Sequence, residues 1–413
     1  MLMNAMSATT TLKVRTGRSI WHAAPFPALP QVTLRRDITT DVLVVGAGIS
    51  GALVAEALTD AGLKVLIVDK GKPLAGATSA STALLQYEID VPLSRPQGKI
   101  GREKAVRLWR RSRLALDALR ERTQRLGIDA RCKVRESLYL QGDLLDAEEL
   151  EQEAAERRDA GFESQWLPAR EVRRRFGIAG RAGILSFGAL SADPRRLAAG
   201  YLRQAIAGGA RLCSPAEVES VEPGKKQVQA RFAHGVVVRA RHLVFATGYE
   251  IAHGVPRKGH RIASTWAIAT GPQRALPCDC LVWEASEPYL YLRPGPGRRI
   301  ICGGEDEDFQ DPSQRDALLP QKTAVLERKL AKLLPGLDTR AEYAWAGSFG
   351  SSPSGAPSIG AIPGMPGCHA VLGYGGNGIT FAMAAAQLLR ASITGGRDAD
   401  ADLFSFRRHW PGA

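Results

Sequence analysis

The chain has 413 residues, with 55 Lys and Arg against 42 Asp and Glu, giving a formal net charge of +13. An apolar share of 45% excludes wholesale disorder, and no run approaches the ~18 apolar residues of a membrane span. Six scattered Cys are not a disulfide framework, which leaves the excess positive charge as the unusual bulk property, one that fits nucleic acid, a membrane surface or an acidic substrate.

Residues 1–40 read as a Pro- and Arg-spotted arm, expected to be mobile and to order against the body near Trp21. The arm has no apolar core of a secretory signal, so the expected compartment is cytoplasmic. Asp41–Gly46 is a continuously apolar run, the pattern of a buried parallel strand. A helix follows through Ala52–Leu58, and Lys64–Asp69 is a second buried strand. Together they form a βαβ unit. A long basic helix is predicted over Glu103–Arg125, with Val106, Trp109, Leu116, Leu119 and Leu126 at helical spacing. Its other face carries Arg107, Arg110, Arg111, Arg113, Arg120 and Arg122, read as a solvated outer face rather than a nucleic-acid surface.

Charged helices are expected at 146–158 and 168–175. Asp193-Pro194 opens a helix to Ala207, with Asp as N-cap and Pro in the first turn. Strand-like pieces follow at 211–213, 227–232, 236–239, 242–246, 263–270, 289–293 and 299–302. A helix over 319–334 stops at Pro335-Gly336. Gly375-Gly376-Asn377-Gly378 precedes a final apolar helix, 379–393. Cys278 and Cys280 have no second Cys pair or His cluster beside them, so no metal site is expected. An α/β start, a strand-rich middle and a helical end predict an α/β (mixed α+β) enzyme of two interleaved domains.

Gly46-Ala-Gly48-Ile-Ser-Gly51 is a GxGxxG loop between a strand and a helix, and Asp69 ends the next strand. That context is what a dinucleotide site requires. The first Gly makes the tight turn, the second lets a pyrophosphate approach, and the third packs helix on strand. Ile49 and Ser50 open the helix whose N-terminus would meet the phosphates, while Asp69, followed by Lys70, would meet the ribose. The small hydroxyl run Gly76–Ala83 suits a longer cofactor than a nicotinamide dinucleotide. So do Ala246-Thr247-Gly248 and the Gly-rich loop 373–380, whose N–H groups can face developing negative charge.

Together with Ser191–Pro194, Gly303–Glu305, Trp345–Gly347 and Pro357–Gly360, these segments resemble the D-amino-acid-oxidase-like family of FAD-dependent oxidoreductases. The similarity is nearest to its gamma-glutamylputrescine oxidase and glycine oxidase branch. The resemblance implies a discontinuous Rossmann-like FAD-binding domain (41–100, 185–250 and 345–413). It also implies a substrate domain with a large mixed β-sheet (101–184 and 251–344). It assigns Gly46, Gly48, Gly51 and Asp69 to the ADP half of FAD, and Thr78, Ser79, Ser81 and Thr82 to the pyrophosphate–flavin region. Val218 falls to adenine, while Ala246, Thr247, Gly248 and Gly347 close over the cofactor. Gly376, Asn377, Gly378, Ile379 and Thr380 fall at the flavin pyrimidine edge.

The reaction it implies is oxidation of the C–N bond of a small amine or amino acid. Hydride passes to flavin N5, and the imine hydrolyses. The electrons then pass to O2 or a downstream acceptor. Three departures matter. Phe349 stands where relatives place an Arg that grips a substrate carboxylate, and Arg293 is the expected replacement. No Cys lies between Cys302 and Cys368, so the FAD is expected to be noncovalent. No Lys occupies 298–302, so oxidase and dehydrogenase both stay open. Tyr289, Tyr291, Trp266 and Phe349 are the aromatic-wall candidates; Tyr291, Arg293 and His260 are the catalytic candidates, with no obligatory side-chain base expected. Two other readings are a tRNA-base-modifying flavoenzyme and a flavin-holding noncatalytic subunit. A nucleic-acid partner is not the expected one.

Overall fold

The computed structural model describes residues 7–23, 28–95, 100–276 and 278–408. The start of the arm and the centre of its Trp21–Pro30 patch therefore lie outside the described residues. Among the described residues, one sheet has eight strands and the other ten.

The eight-stranded sheet is built on Ile38–Val45, flanked in parallel by Val65–Val68 and Val237–Phe245. Arg211–Cys213 and Cys368–Leu372 extend it in parallel on the two sides. Val42, Leu43 and Val44 are fully buried, as a strand covered on both faces must be. Helices Ile49–Asp60, Pro194–Ala207 and Gly378–Ile393 cover one face. On the other face, Val218, Val228 and Phe232 of an antiparallel ribbon pack against Leu43, Val45 and Leu66.

The ten-stranded sheet runs from Arg15–Gly17 at one edge through Ala341–Ser351, Arg261–Thr270, Ile300–Glu307, Leu290–Pro294 and Leu281–Glu284. It continues to Lys133–Leu140, Gly183–Ser191 and Leu84–Leu85. One face packs on helices Ala169–Phe176 and Leu319–Leu333, with Trp266, Ile268, Leu290, Leu292 and Cys302 pointing into that core. Side chains alternate along a strand, so Thr265, Tyr289 and Tyr291 emerge on the opposite face.

Three expectations are corrected. The first concerns helix Gly101–Arg125, placed with the substrate domain. It buries Ala105, Leu108, Trp109, Leu116 and Leu119 in the core of the eight-stranded sheet, against Gly378–Ile393. The second concerns its arginines: Arg110 and Arg120 are exposed as expected, but others are tied to the body. Arg107 binds Asp400 and Asp402, Arg111 is buried against Gln387 and Asp398, and Arg122 binds Glu56 and Asp60. Those carboxylates are distant in sequence, which hid the pairing. The third concerns the arm, which is ordered well before Trp21. Ala8 N–H donates to Val218 O at 2.9 Å, and Arg15–Gly17 pairs with Trp345–Gly347. The segment thus straps one sheet to the other. Among the described residues no helix is long and apolar enough to cross a membrane.

Candidate functional site

A cavity of about 420 Å³ lies between the sheets, and the two halves of the sequence signature meet on its wall. Gly46, Gly48, Ile49 and Ser50 line it from the start of helix Ile49–Asp60. Gly46 has φ +109°, and a Cβ there would sit 2.4 Å from Ala246 O. A Cβ on Gly51 would sit 1.8 Å from Gly46 O. Gly51 therefore acts behind the wall, letting the helix seat on its own loop, and does not line the cavity.

Asp69 ends strand Val65–Val68 and lines the cavity. Its Oδ2 accepts from Ala47 N–H at 2.8 Å and its Oδ1 from Gly71 N–H at 2.9 Å. Burial pushes its carboxyl above the ordinary range, although these two hydrogen bonds favour the ionised form. Lys70 Nζ donates to Glu250 Oε1 at 2.6 Å, and Val218 borders the same region. Thr78 Oγ1 accepts from Ile49 N–H at 2.9 Å, joining the hydroxyl run to the GxGxxG helix. Ser81, Thr82, Ala246, Thr247, Gly248 and Gly347 complete this part of the wall.

The glycine-rich loop enters from the other side. Gly376, Asn377, Gly378 and Ile379 line the cavity at the start of helix Gly378–Ile393. Asn377 Nδ2 donates to Glu88 O at 2.5 Å, and Thr380 Oγ1 donates to Gln86 O at 2.9 Å. Thr380 thus ties the helix to segment 86–88 rather than facing the cavity. Ser79 is likewise a tie: it is fully buried and its hydroxyl donates to Gly76 O at 2.9 Å.

Tyr289, Tyr291 and Phe349 line the cavity. The Tyr289 and Tyr291 rings lie 5.4 Å apart. Burial raises both phenols above their ordinary range, so both stay protonated. Gly303 is needed for this arrangement, since a Cβ there would fall 2.5 Å from Tyr291 Oη.

The structure moves three candidates away from the wall. Trp266 falls on the core face of its strand, where its indole N–H donates to Arg315 O at 3.2 Å; its neighbour Thr265 faces the cavity instead. Arg293 spends its donors on carbonyls: Nε on Thr82 O at 2.7 Å, Nη2 on Ala192 O at 2.8 Å and Nη1 on Pro294 O at 3.0 Å. It pins the Ser81–Ala83 loop and has no face left for a carboxylate. Burial, with Arg135 nearby, lowers it to about 9. His260 packs on Gly373 and shares a 2.7 Å hydrogen bond with Ser358 Oγ. Burial lowers its pKa to about 4, so it is neutral at neutral pH.

Sequence reading missed Asp90, Asp306 and Trp283, which all line the cavity. Asp90 Oδ2 accepts from Gly376 N–H at 3.1 Å. Asp90 keeps accessible surface, yet protein atoms crowd it, and that desolvation raises its carboxyl; the Gly376 bond opposes the shift. Burial pushes Asp306 up to about 7; a Thr265 hydrogen bond works against this, and the charges of Asp90 and Glu305 add to it. The available signal was the repeat of acids after a small-residue segment, Gln86–Asp90 and Gly303–Asp306. It is too common in sequences to be read alone.

The residues fit FAD: a glycine cradle at a helix N-terminus, hydroxyls beside it and a second glycine loop share one continuous cavity. No cysteine is among the described residues that line it.

Comparison with known proteins agrees. The profile of the FAD dependent oxidoreductase family (DAO) matches residues 41–392. The chain is 24% identical to gamma-glutamylputrescine oxidoreductase of Escherichia coli, over 95% of this chain and 92% of that protein. It is 26% identical to glycine oxidase of Geobacillus kaustophilus, over 89% of this chain and 97% of that one. The crystal structure of a glycine oxidase from Geobacillus kaustophilus superposes with a TM-score of 0.76 at 20% identity, covering 90% of this chain and 99% of that chain. The chain therefore belongs to the DAO family of FAD-dependent oxidoreductases.

Proposed function

We propose that the protein oxidises the C–N bond of a small amine, giving an imine that water hydrolyses. Bound FAD supplies the hydride acceptor, at flavin N5. The carrying observation is the composition of the cavity beside the glycine-rich loop: Tyr289, Tyr291, Trp283 and Phe349 with Asp90 and Asp306, and no Arg among the described residues that line it. The cations that line the cavity, Lys70 and Lys72, follow Asp69 at the dinucleotide loop. A free α-amino acid needs a cationic grip on its carboxylate, and Phe349 stands where one is expected. The relatives named for gamma-glutamylputrescine and for glycine support a C–N substrate.

In this reading the glycine loops orient the cofactor, while the aromatic wall holds the carbon chain and limits water. The acids attract a cationic amine into the cavity. The electrons leave to O2 or to a downstream acceptor. Anaerobic mixing of the purified yellow protein with a panel of amines and amino acids tests the reading. An amine should bleach the flavin. Bleaching by α-amino acids alone, or by no compound in the panel, would overturn it.

A further inference from the structure

Resting on that amine reading, we propose that Asp90 and Asp306 form a receptor for a second ammonium group, so that the substrate is a linear diamine or a similarly dicationic aliphatic amine. The two acids come from distant segments. Asp90 follows strand Leu84–Leu85, and Asp306 lies near the end of Ile300–Glu307. Both line the same cavity, and Asp90 is bonded directly to the Gly376 N–H of the glycine-rich loop. Asp306 Oδ1 is buried with no hydrogen-bond partner.

A buried carboxylate oxygen without a partner or counter-charge is costly, and a ligand cation offsets that cost. Among the described residues that line the cavity, the cations are Lys70 and Lys72, at the dinucleotide loop. Lys322, whose charge Asp306 feels, is bound to Glu305 and Glu307 and packs over Trp266, in the core on the other face of the sheet. Tyr289 and Tyr291 add ring faces suited to a cation and its methylene chain.

The reacting nitrogen does not fill this role. Hydride leaves the carbon beside a neutral nitrogen, so an ammonium held charged by two carboxylates is unreactive. A substrate using both features carries one nitrogen to be oxidised and another to be anchored. Asp90, Tyr289, Tyr291 and Thr265 share the cavity with Asp306, while the charges of Glu305 and Lys322 act on it from the other face of the sheet. Asp306 is held at about 7, so its ionisation adds charge to the receptor near neutrality.

The test uses the yellow holoprotein under anaerobic conditions. It is titrated with linear diamines, alkylamines of matching length and the matching ω-amino carboxylates. Perturbation of the flavin spectrum and the rise in melting temperature report binding; bleaching reports oxidation. Diamines should bind about tenfold or more tightly than alkylamines, the worth of one charge-assisted contact, with amino carboxylates weakest. The preference should grow as pH rises through about 7, and it should vanish in Asp306→Asn and in Asp90→Asn. Equal binding of diamines and alkylamines, or a preference that survives both substitutions, would overturn the receptor. Tight diamine binding without bleaching keeps the receptor and sinks the oxidation reading. Bleaching by alkylamines without diamine preference does the reverse.

Discussion

At the scale of single residues, the glycines carry the clearest steric argument. A side chain on Gly51 has no space, because its Cβ would stand 1.8 Å from a backbone oxygen. Gly51→Ala is expected to cost about 1–3 kcal/mol through overpacking and to lower flavin content. At Gly48 a Cβ would meet only Thr78 Oγ1, at 3.1 Å, so Gly48→Ala should be milder. Flavin-to-protein ratio and melting temperature check the order, and equal effects would refute it. Phe349→Arg should move kcat/KM toward α-amino acids by about tenfold, the value of a charged contact. An unchanged preference would take Phe349 out of the substrate pocket.

Asp306 also makes a stability prediction. The folded protein keeps this proton up to about 7, whereas the unfolded chain loses it near 3.8. Over that window the native state binds more protons, so stability falls as pH rises. Asp306→Asn removes this slope. The melting temperature of the variant, measured without ligand, should fall less between the two limits than that of the parent. Parallel curves would show that the carboxyl titrates normally. Glycines and Asp69 were legible in the sequence because their spacing follows from local geometry. Asp90 and Asp306 were not, because what makes them special is each other, across more than half the chain.

At the scale of elements, the buried parallel strands were readable because Val42–Val45 and Val65–Val68 are covered on both faces and so run unbroken in apolar residues. Lys133–Leu140 and Ala341–Ser351 escaped. The first has a polar, exposed start, and the second is rich in small residues that pack closely against neighbouring strands. The same period-two alternation explains the Trp266 error: its type suits an aromatic wall, but its parity puts it in the core. Helix Ala147–Asp159, by contrast, was predicted within a residue at either end. Asp146 caps it, accepting from Glu148 and Glu149 N–H at 3.0 and 2.9 Å.

That helix carries Arg157, fully buried, with Nε donating to Glu153 at 2.7 Å and the guanidinium 4.9 Å from the Trp109 ring. It joins this helix to Gly101–Arg125. Arg157→Met leaves Glu153 and Glu88 buried without their cation and should cost about 3–5 kcal/mol. Denaturant unfolding would read it, and a change within error would mean the acids take up protons at little cost.

At the scale of the whole molecule, part of the arginine content turns out to be structural. Arg107, Arg111 and Arg122 hold the long helix to the C-terminal segment and to helix Ile49–Asp60. The N-terminal segment is the larger surprise. Ser7, Thr9 and Val14 line the cavity while Arg15–Gly17 joins the ten-stranded sheet, so the segment closes one side of the cofactor site. Deleting residues 1–17 should lower flavin retention and melting temperature together. A deletion variant that keeps its full flavin would show the strap to be dispensable. The strap was illegible because its three-residue strand draws its pairing from a partner more than 300 residues away.

The proposed reaction takes hydride from the C–H bond next to a substrate nitrogen. Anaerobic single-turnover bleaching, compared for an amine and the same amine deuterated at the carbon beside nitrogen, tests it most directly. Slower bleaching with the deuterated amine is the predicted result. Bleaching at the same rate with both would show that another bond or another step does the work.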